Sequence, residues 1–257
     1  HLTMNAQHTT ENAGAVEARR PTRASSISDP VSYFDQYFEV VPANNFELQR
    51  AAYRLRFEVY CKQLRFPGFE PHRFPTAMET DCYDHRSKHC LLRHRDTGEW
   101  AGLVRLVLAD PKDPDKPFPT EIQAASSLDE RCLSDIDRRE VGEISRLIVA
   151  PNFRKRRGEY VTPYGSADPR LPLPLLGLLA GAMRLSAEND VKYWLAVMEP
   201  HLNRLLRRLG LSLEPIGPAV SFCGTRYPCL GEVSAVLRSA GQTNPDAWSI
   251  ITTIGTR

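Results

Sequence analysis

The sequence lacks the features of several common protein classes. It has no run of about 18 apolar residues, the minimum for a membrane-spanning helix, and its N-terminus lacks the apolar core of a signal peptide. Its net charge of +2 over 257 residues is too small to argue for nucleic-acid binding. We therefore expect a cytoplasmic protein with no integral membrane contact and no nucleic-acid partner.

Cysteine is sparse, and the usual catalytic motifs are missing. The six cysteines show no paired framework, and a chain of this length does not need disulfides, so reduced thiols are expected. No Gly-x-Ser-x-Gly or HExxH motif occurs, so serine hydrolases and zincins have no support. One group has residue types that suit zinc, but its spacing matches no familiar finger: Cys82, His85, His89, Cys90 and His94. We predict no metal site.

The composition divides the chain into a tail and one domain. Residues 5–29 contain almost no large apolar side chains and cannot bury enough surface to offset the entropy of ordering. We expect residues 1–30 to form a disordered tail and residues 31–257 to form a single domain. With 42% hydrophobic and 25% charged residues, the composition is that of a globular protein.

Hydrophobic periodicity and turn residues predict an α/β fold with a mixed sheet. Asn44 and Asn45 offer an N-cap for a helix that continues to about residue 64. Aromatic and β-branched residues favour a strand near the end of the segment 32–41. Further strands are expected at 88–95, 100–109, 141–149 and 192–198, and further helices at 175–189, 202–209 and 232–239.

The strand at 141–149 is unusual because it places Glu143 and Arg146 in an apolar segment. A buried charged pair is costly unless it is paired or used in chemistry. A carboxyl group among apolar residues has a raised pKa and can accept a proton near neutral pH, although a salt bridge at the strand end is equally compatible with the pattern. Residues three apart on a regular strand would lie on opposite faces.

Two further charged groups accompany this strand. Asp81 and Asp84 are so close in sequence that they need cations to stay ionised, or they form a solvated turn. The run Arg154-Lys155-Arg156-Arg157-Gly158 follows the strand, which is a position that suits a phosphate group, although such a run is also typical of a solvated loop. Arg204, Arg207 and Arg208 could extend the same basic face.

These motifs, in this order, resemble the GNAT acyltransferase superfamily. Within it they are most similar to autoinducer (acyl-homoserine-lactone) synthases and N-acyl amino acid synthases, with the closest likeness to PEP-CTERM/exosortase-associated acyltransferases. Four segments carry the resemblance: Arg56-Phe57-Glu58-Val59-Tyr60 with Phe66, Asp81-Cys82-Tyr83-Asp84, Gly102-Leu103-Val104-Arg105, and Glu143-Ile144-Ser145-Arg146.

The resemblance implies a mostly antiparallel twisted sheet, flanked by helices, with splayed central strands. It also implies transfer of a fatty acyl group from acyl carrier protein to the amine of an amino acid or related small amine, with no bound cofactor. The implied catalytic residues are Glu143, as the base, Ser145 and Arg146. The implied substrate-binding residues are Arg56, Tyr60, Phe66, Asp81, Asp84 and Arg105. The basic residues Arg154 to Arg157, with Gly158, and Arg204, Arg207 and Arg208 would bind the carrier and its phosphopantetheine arm.

Departures from the family pattern bear on the donor and the acceptor. The usual pyrophosphate loop has a second small residue after its glycine, whereas here Glu159 follows Gly158, which favours a carrier protein over free coenzyme A. Tyr60 and Phe66 replace the usual Phe and Trp, which favours an amino acid over S-adenosylmethionine. A coenzyme A-dependent N-acetyltransferase, an autoinducer synthase using S-adenosylmethionine and a non-catalytic acyl-carrier binding module remain the alternatives.

Overall fold

The computed structural model describes residues 29–126, 128–129, 131–154, 161–162, 165–166, 168, 170–221 and 223–257. The helices are α1 Pro30–Tyr37, α2 Phe46–Arg56, α3 Pro119–Gln123, α4 Arg131–Ser134, α5 Leu173–Glu188, α6 Pro200–Arg208, α7 Val233–Thr243 and α8 Pro245–Gly255. The strands are β1 Phe38–Pro42, β2 Ser87–His94, β3 Trp100–Leu108, β4 Val141–Val149, β5 Val161–Thr162, β6 Gly165–Ser166, β7 Tyr193–Met198, β8 Glu214–Pro215, β9 Val220–Ser221 and β10 Thr225–Glu232.

The main sheet has the strand order β1-β2-β3-β4-β7-β10-β8, and β9 pairs with β10. Its ladders are antiparallel except between β4 and β7, which run parallel. The predicted mixed, mostly antiparallel α/β architecture is therefore confirmed. No helix in the described ranges is long and apolar enough to cross a membrane.

Helices cover both faces of the sheet. On one face, α5 packs against β2, β3 and α8, and its glycines allow a close approach. A Cβ at Gly177 would lie 2.7 Å from Leu92 Cδ1, and a Cβ at Gly181 would lie 2.8 Å from Cys90 Cβ. On the other face, Ala52 of α2 and Val59 pack with Leu91 of β2 and Leu103 of β3. The sheet is thus buried on both sides at β2 and β3.

The helix predicted to begin after Asn45 is present, and it changes from α-helical to π-helical geometry along its length. The side chain of Asn45 accepts a hydrogen bond from the Leu48 amide at 2.9 Å, which caps α2. A π-helical segment, Phe57–Gln63, continues α2 without a break. Short π-helical turns often occur at functional sites because they re-aim side chains. Here the segment carries Tyr60.

The strand expected near the end of residues 32–41 is present as β1, Phe38–Pro42. The helix before it, α1 at Pro30–Tyr37, was not predicted. Asp29 caps the helix, because its side chain accepts hydrogen bonds from the amides of Val31 and Ser32, and Pro30 occupies the first helical position. This local cap outweighs the strand preference of the aromatic residues.

Candidate active site

A fork between β4 and β7 forms the centre of the candidate site. Their parallel ladder contains the pairs Val141–Tyr193, Gly142–Trp194 and Glu143–Leu195. Beyond Glu143, β4 continues along β3 and β7 continues along β10, so the two strands separate. The opening exposes the edge of β4 from Ile144 onward. The expected splayed strands are therefore present, and Glu143 lies where they part.

Two cavities occupy the fork. The polar cavity, of about 210 Å³, contains Glu143, Asp81 and Arg105 in its lining. The apolar cavity, of about 610 Å³, is lined largely by aliphatic side chains of α5, α6 and β7. Both cavities share one set of lining residues: Tyr60, Phe66, Ile144, Ser145, Arg146, Val197 and Arg226. A molecule at this boundary would therefore have a polar compartment on one side and an apolar compartment on the other.

Glu143 is a buried carboxyl group in the polar cavity. Its side chain is 2% exposed, and its Oε2 accepts a hydrogen bond from the Thr120 amide at 2.9 Å. Burial raises the pKa of Glu143 from 4.5 to about 7, and the hydrogen bond from Thr120 opposes that rise. The carboxyl group can therefore exchange a proton at neutral pH.

A buried network of three arginines and three carboxylates forms one wall of the polar cavity. Arg56 donates to Glu79 at 2.5 Å and to Asp84 at 2.6 Å. Arg105 donates to Asp81 at 2.6 Å, to Asp84 at 3.0 Å and to Ser145 Oγ at 2.9 Å. Arg146 donates to Glu79 and to Asp81, each at 3.1 Å. The structure thus brings together Arg56, Asp81, Asp84, Arg105, Ser145 and Arg146, as the sequence motifs indicated.

Ion pairing keeps this network charged despite its burial. Burial alone would raise the pKa of Glu79, but the hydrogen bond from Arg56 and the charge of Arg146 outweigh it and hold that pKa at about 2. Burial is likewise outweighed at Asp84, where His89 and Arg56 hold the pKa well below its ordinary value. With each carboxylate facing two cations, the wall is held rigidly in place.

Glu79 is the member of the network that the sequence analysis missed. It is 1% exposed and bridges Arg56 and Arg146. The signal that could have identified it is the number of charges, since three candidate buried arginines need a third carboxylate beside Asp81 and Asp84. Glu79 lies two residues before Asp81. Arg54, a neighbouring arginine of α2, is exposed.

A β-bulge places Arg146 in the polar cavity. The pairing of β3 with β4 shifts between Leu103–Ile148 and Arg105–Ser145, so Arg146 and Leu147 together face Val104. Arg146 has a φ of +51°, which a non-glycine residue rarely adopts and which accompanies bulges. The expectation that Glu143 and Arg146 lie on opposite faces is therefore wrong, because both line the polar cavity.

An aromatic group lies over the boundary between the cavities. The ring centroid of Tyr60 is 5.8 Å from that of Phe66 and 5.3 Å from that of Phe69. The guanidinium of Arg146 lies 5.3 Å from the ring centroids of both Tyr60 and Phe69. These cation–π contacts connect the aromatic group to the charge network and fix its position.

The basic residues that were expected to bind a carrier lie partly outside the described chain. Lys155, Arg156, Arg157 and Gly158 are not among the described residues. Arg154 is exposed, borders the apolar cavity, and donates to the Val149 carbonyl at 2.6 Å. Arg204, Arg207 and Arg208 lie on the exposed face of α6, whereas the opposite face of α6 lines the apolar cavity with Leu202, Leu205 and Leu206.

The cysteine and histidine residues that suit zinc do not converge. His89 Nε2 lies 3.2 Å from Arg56 Nη1, inside the charge network. His94 packs against Phe38 and Phe153, and Cys90 faces Gly181 of α5. Across the part of the chain that the structure describes, no group of His, Cys, Asp and Glu residues has an arrangement that could hold a metal ion.

Part of the chain matches a known family model. Residues 55–162 match the acetyltransferase (GNAT) domain family. This segment contains Glu143 and every member of the charge network. A search of curated proteins found no significant match.

Solved structures share the fold. TofI, in a ternary complex with an inhibitor and MTA, has a TM-score of 0.54 at 21% identity, covering 82% of this chain and 98% of that chain. FeeM, an N-acyl amino acid synthase from uncultured soil microbes, has a TM-score of 0.53 at 10% identity, covering 80% and 96%. MesI, a CoA-dependent acyl-homoserine lactone synthase, has a TM-score of 0.51 at 20% identity, covering 81% and 95%.

Proposed function

We propose that this protein transfers a fatty acyl group from a carrier-protein thioester to the amine of an amino acid or related small amine, and the match to the acetyltransferase (GNAT) family and the shared fold support an acyltransferase. The observation that carries this proposal is the position of Glu143. Its buried carboxyl group lies in a polar cavity that opens onto a larger apolar cavity at the fork. Acceptor and acyl chain can therefore meet beside a base.

Glu143 is proposed as the base. An ammonium group must lose a proton before its nitrogen can attack, and a carboxylate with a pKa of about 7 can take that proton, directly or through water. The nitrogen then bonds to the thioester carbonyl carbon, the carbon–sulfur bond breaks, and the nitrogen gives up its second proton as the amide forms. The leaving thiolate takes up one proton and the proton held by Glu143 passes to solvent, so charge and atoms balance.

The open edge of β4 supplies polar contacts for the thioester. Backbone amides beyond Glu143 that point into the fork can hydrogen-bond to the carbonyl oxygen as it gains negative charge. A preorganised donor of this kind contributes about 10²–10³ in rate. The bulge at Arg146 supports this assignment, because it turns the strand at the boundary of the two cavities. Ser145, which accepts from Arg105, keeps the neighbouring backbone in register.

The apolar cavity is proposed to hold the acyl chain. Its volume of about 610 Å³ lies within the usual range for sites that enclose a small ligand. Residues of α5, α6 and β7 together line this cavity, so an acyl chain can enter from the fork and extend between these elements. The exposed arginines of α6 lie outside this cavity and offer a docking face for an acidic carrier protein.

Two alternatives concern the donor and the acceptor. The fold is shared by MesI, which is CoA-dependent, so acyl-CoA remains the second candidate donor. An autoinducer synthase would use S-adenosylmethionine and form a lactone. The likeness to PEP-CTERM/exosortase-associated acyltransferases and the cytoplasmic location stay predictions from the sequence.

The test is a donor and acceptor matrix with purified protein. Acyl carrier protein and coenzyme A, each loaded with the same acyl group, are combined with amino acids or S-adenosylmethionine, and products are measured by mass spectrometry. We expect N-acyl amino acids from the carrier-protein donor and at least 100-fold less product from Glu143→Gln. Turnover of acyl-CoA alone, or an unchanged rate in Glu143→Gln, would contradict the donor or the base, respectively.

A further inference from the structure

Arg226 is a cavity residue that has no role in the acyl transfer proposed above. It lies on β10 and lines both cavities at their boundary, with a side chain that is 18% exposed. Its Nη2 donates to Glu199 Oε1 at 2.7 Å and contacts the Cys223 carbonyl at 3.4 Å. The sequence analysis did not select this residue, because it belongs to none of the motifs.

The buried charge network beside the polar cavity is complete without Arg226, whose guanidinium pairs with Glu199 instead. In the buried network three arginines face three carboxylates, so those charges balance. Glu143 is only partly ionised at neutral pH, because burial raises its pKa to about 7. The positive charge of Arg226 also acts on Tyr60. Burial raises the pKa of Tyr60, and the charges of Arg146 and Arg226 oppose that rise.

The existing partner of Arg226 does not exclude a ligand. The Glu199 side chain is 51% exposed, and an ion pair with an exposed member contributes only about 0–1 kcal/mol. A carboxylate in the cavity would be better shielded from water than Glu199. Since a guanidinium can bind a carboxylate through two parallel hydrogen bonds, such a ligand can share or replace the contact with Glu199.

We propose that Arg226 binds the carboxylate of the acceptor, so that the acceptor is an α-amino acid and not a simple amine. This inference rests on the proposed acyl transfer. Arg226 and Glu143 line the same cavity of about 210 Å³, so one small molecule can reach both. The amine and carboxylate of an α-amino acid are separated by one carbon, which suits a compact site. The remaining wall, formed by Tyr60, Phe66 and Phe69, favours an apolar or aromatic side chain.

Paired substrates test this assignment. Kinetics are measured with phenylalanine and phenethylamine, and with leucine and isoamylamine, at a fixed saturating donor. The members of each pair differ by the carboxylate. We expect the wild-type protein to prefer the amino acid, and Arg226→Gln to raise the KM for the amino acid roughly 10- to 100-fold. The rate with the amines should fall much less, because these acceptors have no carboxylate for Arg226 to bind. Arg226→Lys should restore part of the preference, because it keeps the charge and loses the two-point contact.

Two control variants separate carboxylate binding from a structural role. Glu199→Gln breaks the same ion pair but keeps Arg226, so the preference for amino acids should persist. Arg93→Gln removes a comparable exposed pair, with Glu39, on the far edge of the sheet and should have no effect. Equal losses for amino acids and amines in Arg226→Gln, or an equal loss in Glu199→Gln, would overturn the assignment.

Binding measurements keep this inference distinct from the proposed function. Calorimetric titration of phenylalanine into wild-type protein and Arg226→Gln needs no turnover. If no donor supports acyl transfer to any amine, the proposed function fails, and the titration still judges Arg226. Binding by the wild type that is lost in Arg226→Gln supports a carboxylate site, whereas equal binding, or no binding by the wild type, contradicts it.

Discussion

The chemistry of Glu143 depends on its burial. A carboxyl group with an ordinary pKa of 4.5 would be a weak base at neutral pH, but the apolar surroundings raise the pKa of Glu143 to about 7. The Thr120 amide at 2.9 Å limits that rise, so the ionised form stays accessible. This balance matches the basicity of the group to the pH at which a general base works best.

We predict that kcat/KM rises with pH to a plateau, with a midpoint near 7. Below that pH, Glu143 is protonated and cannot accept a proton from the amine. The measurement is the initial rate of acyl transfer between pH 5.5 and 9, with the ionisation of the free acceptor amine taken into account by comparing acceptors of different amine pKa. If the midpoint changes with the pKa of the acceptor amine instead of staying near 7, the ionisation belongs to the substrate and not to Glu143.

Glu79 differs in role from Glu143, because its carboxylate compensates the positive charges of two arginines of the buried network. Its carboxylate holds Arg56 and Arg146 together, and removing one member of such a group leaves the others uncompensated. We predict that Glu79→Gln lowers the free energy of unfolding by about 3–5 kcal/mol at neutral pH. Denaturant titration measures this loss. Glu58→Gln is the control, since Glu58 forms an exposed pair with Lys62 and should change stability by less than about 0.5 kcal/mol.

The same residue gives a pH dependence of stability. The pKa of Glu79 is lowered from 4.5 to about 2 on folding, so its contribution is present above pH 4.5 and is lost as the pH falls towards 2. The difference in stability between wild type and Glu79→Gln should therefore shrink in acid. A difference that stays constant from pH 7 to pH 3 would show that Glu79 acts through packing and not through its charge.

At the scale of elements, local signals in the sequence predict much of the fold. The strand predicted at 141–149 has the bounds of β4, and the turn at Asp96–Gly98 joins β2 to β3, with Gly98 at a φ of +72°. Helices α1 and α8 were not predicted, although both have local signals at their N-termini: Asp29 caps α1 and Pro30 begins it, and Asn244 caps α8 and Pro245 begins it. Cap residues are therefore the sequence signal that identifies both helices.

The bulge in β4 could not be predicted in this way. Nothing within residues 141–149 shows which residue is extra, because a bulge is defined by the register with a partner strand. The alternation of a regular strand therefore gave the wrong face for Arg146. Its contacts with Glu79 and Asp81, which come from a loop far away in sequence, stabilise the unusual backbone. Long-range charge pairing thus decides a local conformation here.

Helix α6 has two faces with separate proposed roles. We predict that the triple substitution of Arg204, Arg207 and Arg208 by Gln raises the KM for a carrier-protein donor about tenfold or more at low salt, because these exposed charges attract an acidic partner. Leu202 and Leu205 on the inner face are kept, so the apolar cavity is unchanged. The measurement is initial rate against donor concentration at two ionic strengths, since screening should reduce the difference.

A matched variant tests the position of the charge. Arg93 and Arg95, beside the β1–β2 edge of the sheet, and Arg139, just before β4, are exposed, so replacing these three by Gln gives the same change in net charge away from α6. This variant should keep the wild-type KM for the donor. Equal effects from both triple variants would mean that total charge, and not the face of α6, attracts the carrier.

At the scale of the whole molecule, the fork divides the site into a polar part and an apolar part, and the sequence predicts the polar part better than the apolar one. Apart from Glu79, the charged wall of the polar cavity could be predicted, because its arginines and its other two carboxylates belong to short motifs with fixed spacing. The apolar cavity could not, because a leucine that lines a cavity and a leucine that fills a core have the same sequence pattern. Arg226 was missed for a related reason. It is brought to the boundary by the pairing of β10 with β7.

The division into two cavities predicts how acyl length is selected. Leu179 of α5 is 5% exposed and lines the apolar cavity away from Glu143. Leu179→Phe should fill part of this space and shift the preferred acyl group to shorter chains, while Leu179→Ala should extend it and favour longer chains at a cost of about 2–5 kcal/mol in stability. The measurement is competition among donors of different acyl length, with product ratios read by mass spectrometry. Because ratios are taken within one reaction, a loss of folded protein does not alter them. Shifts in the same direction for both variants would place the acyl chain elsewhere.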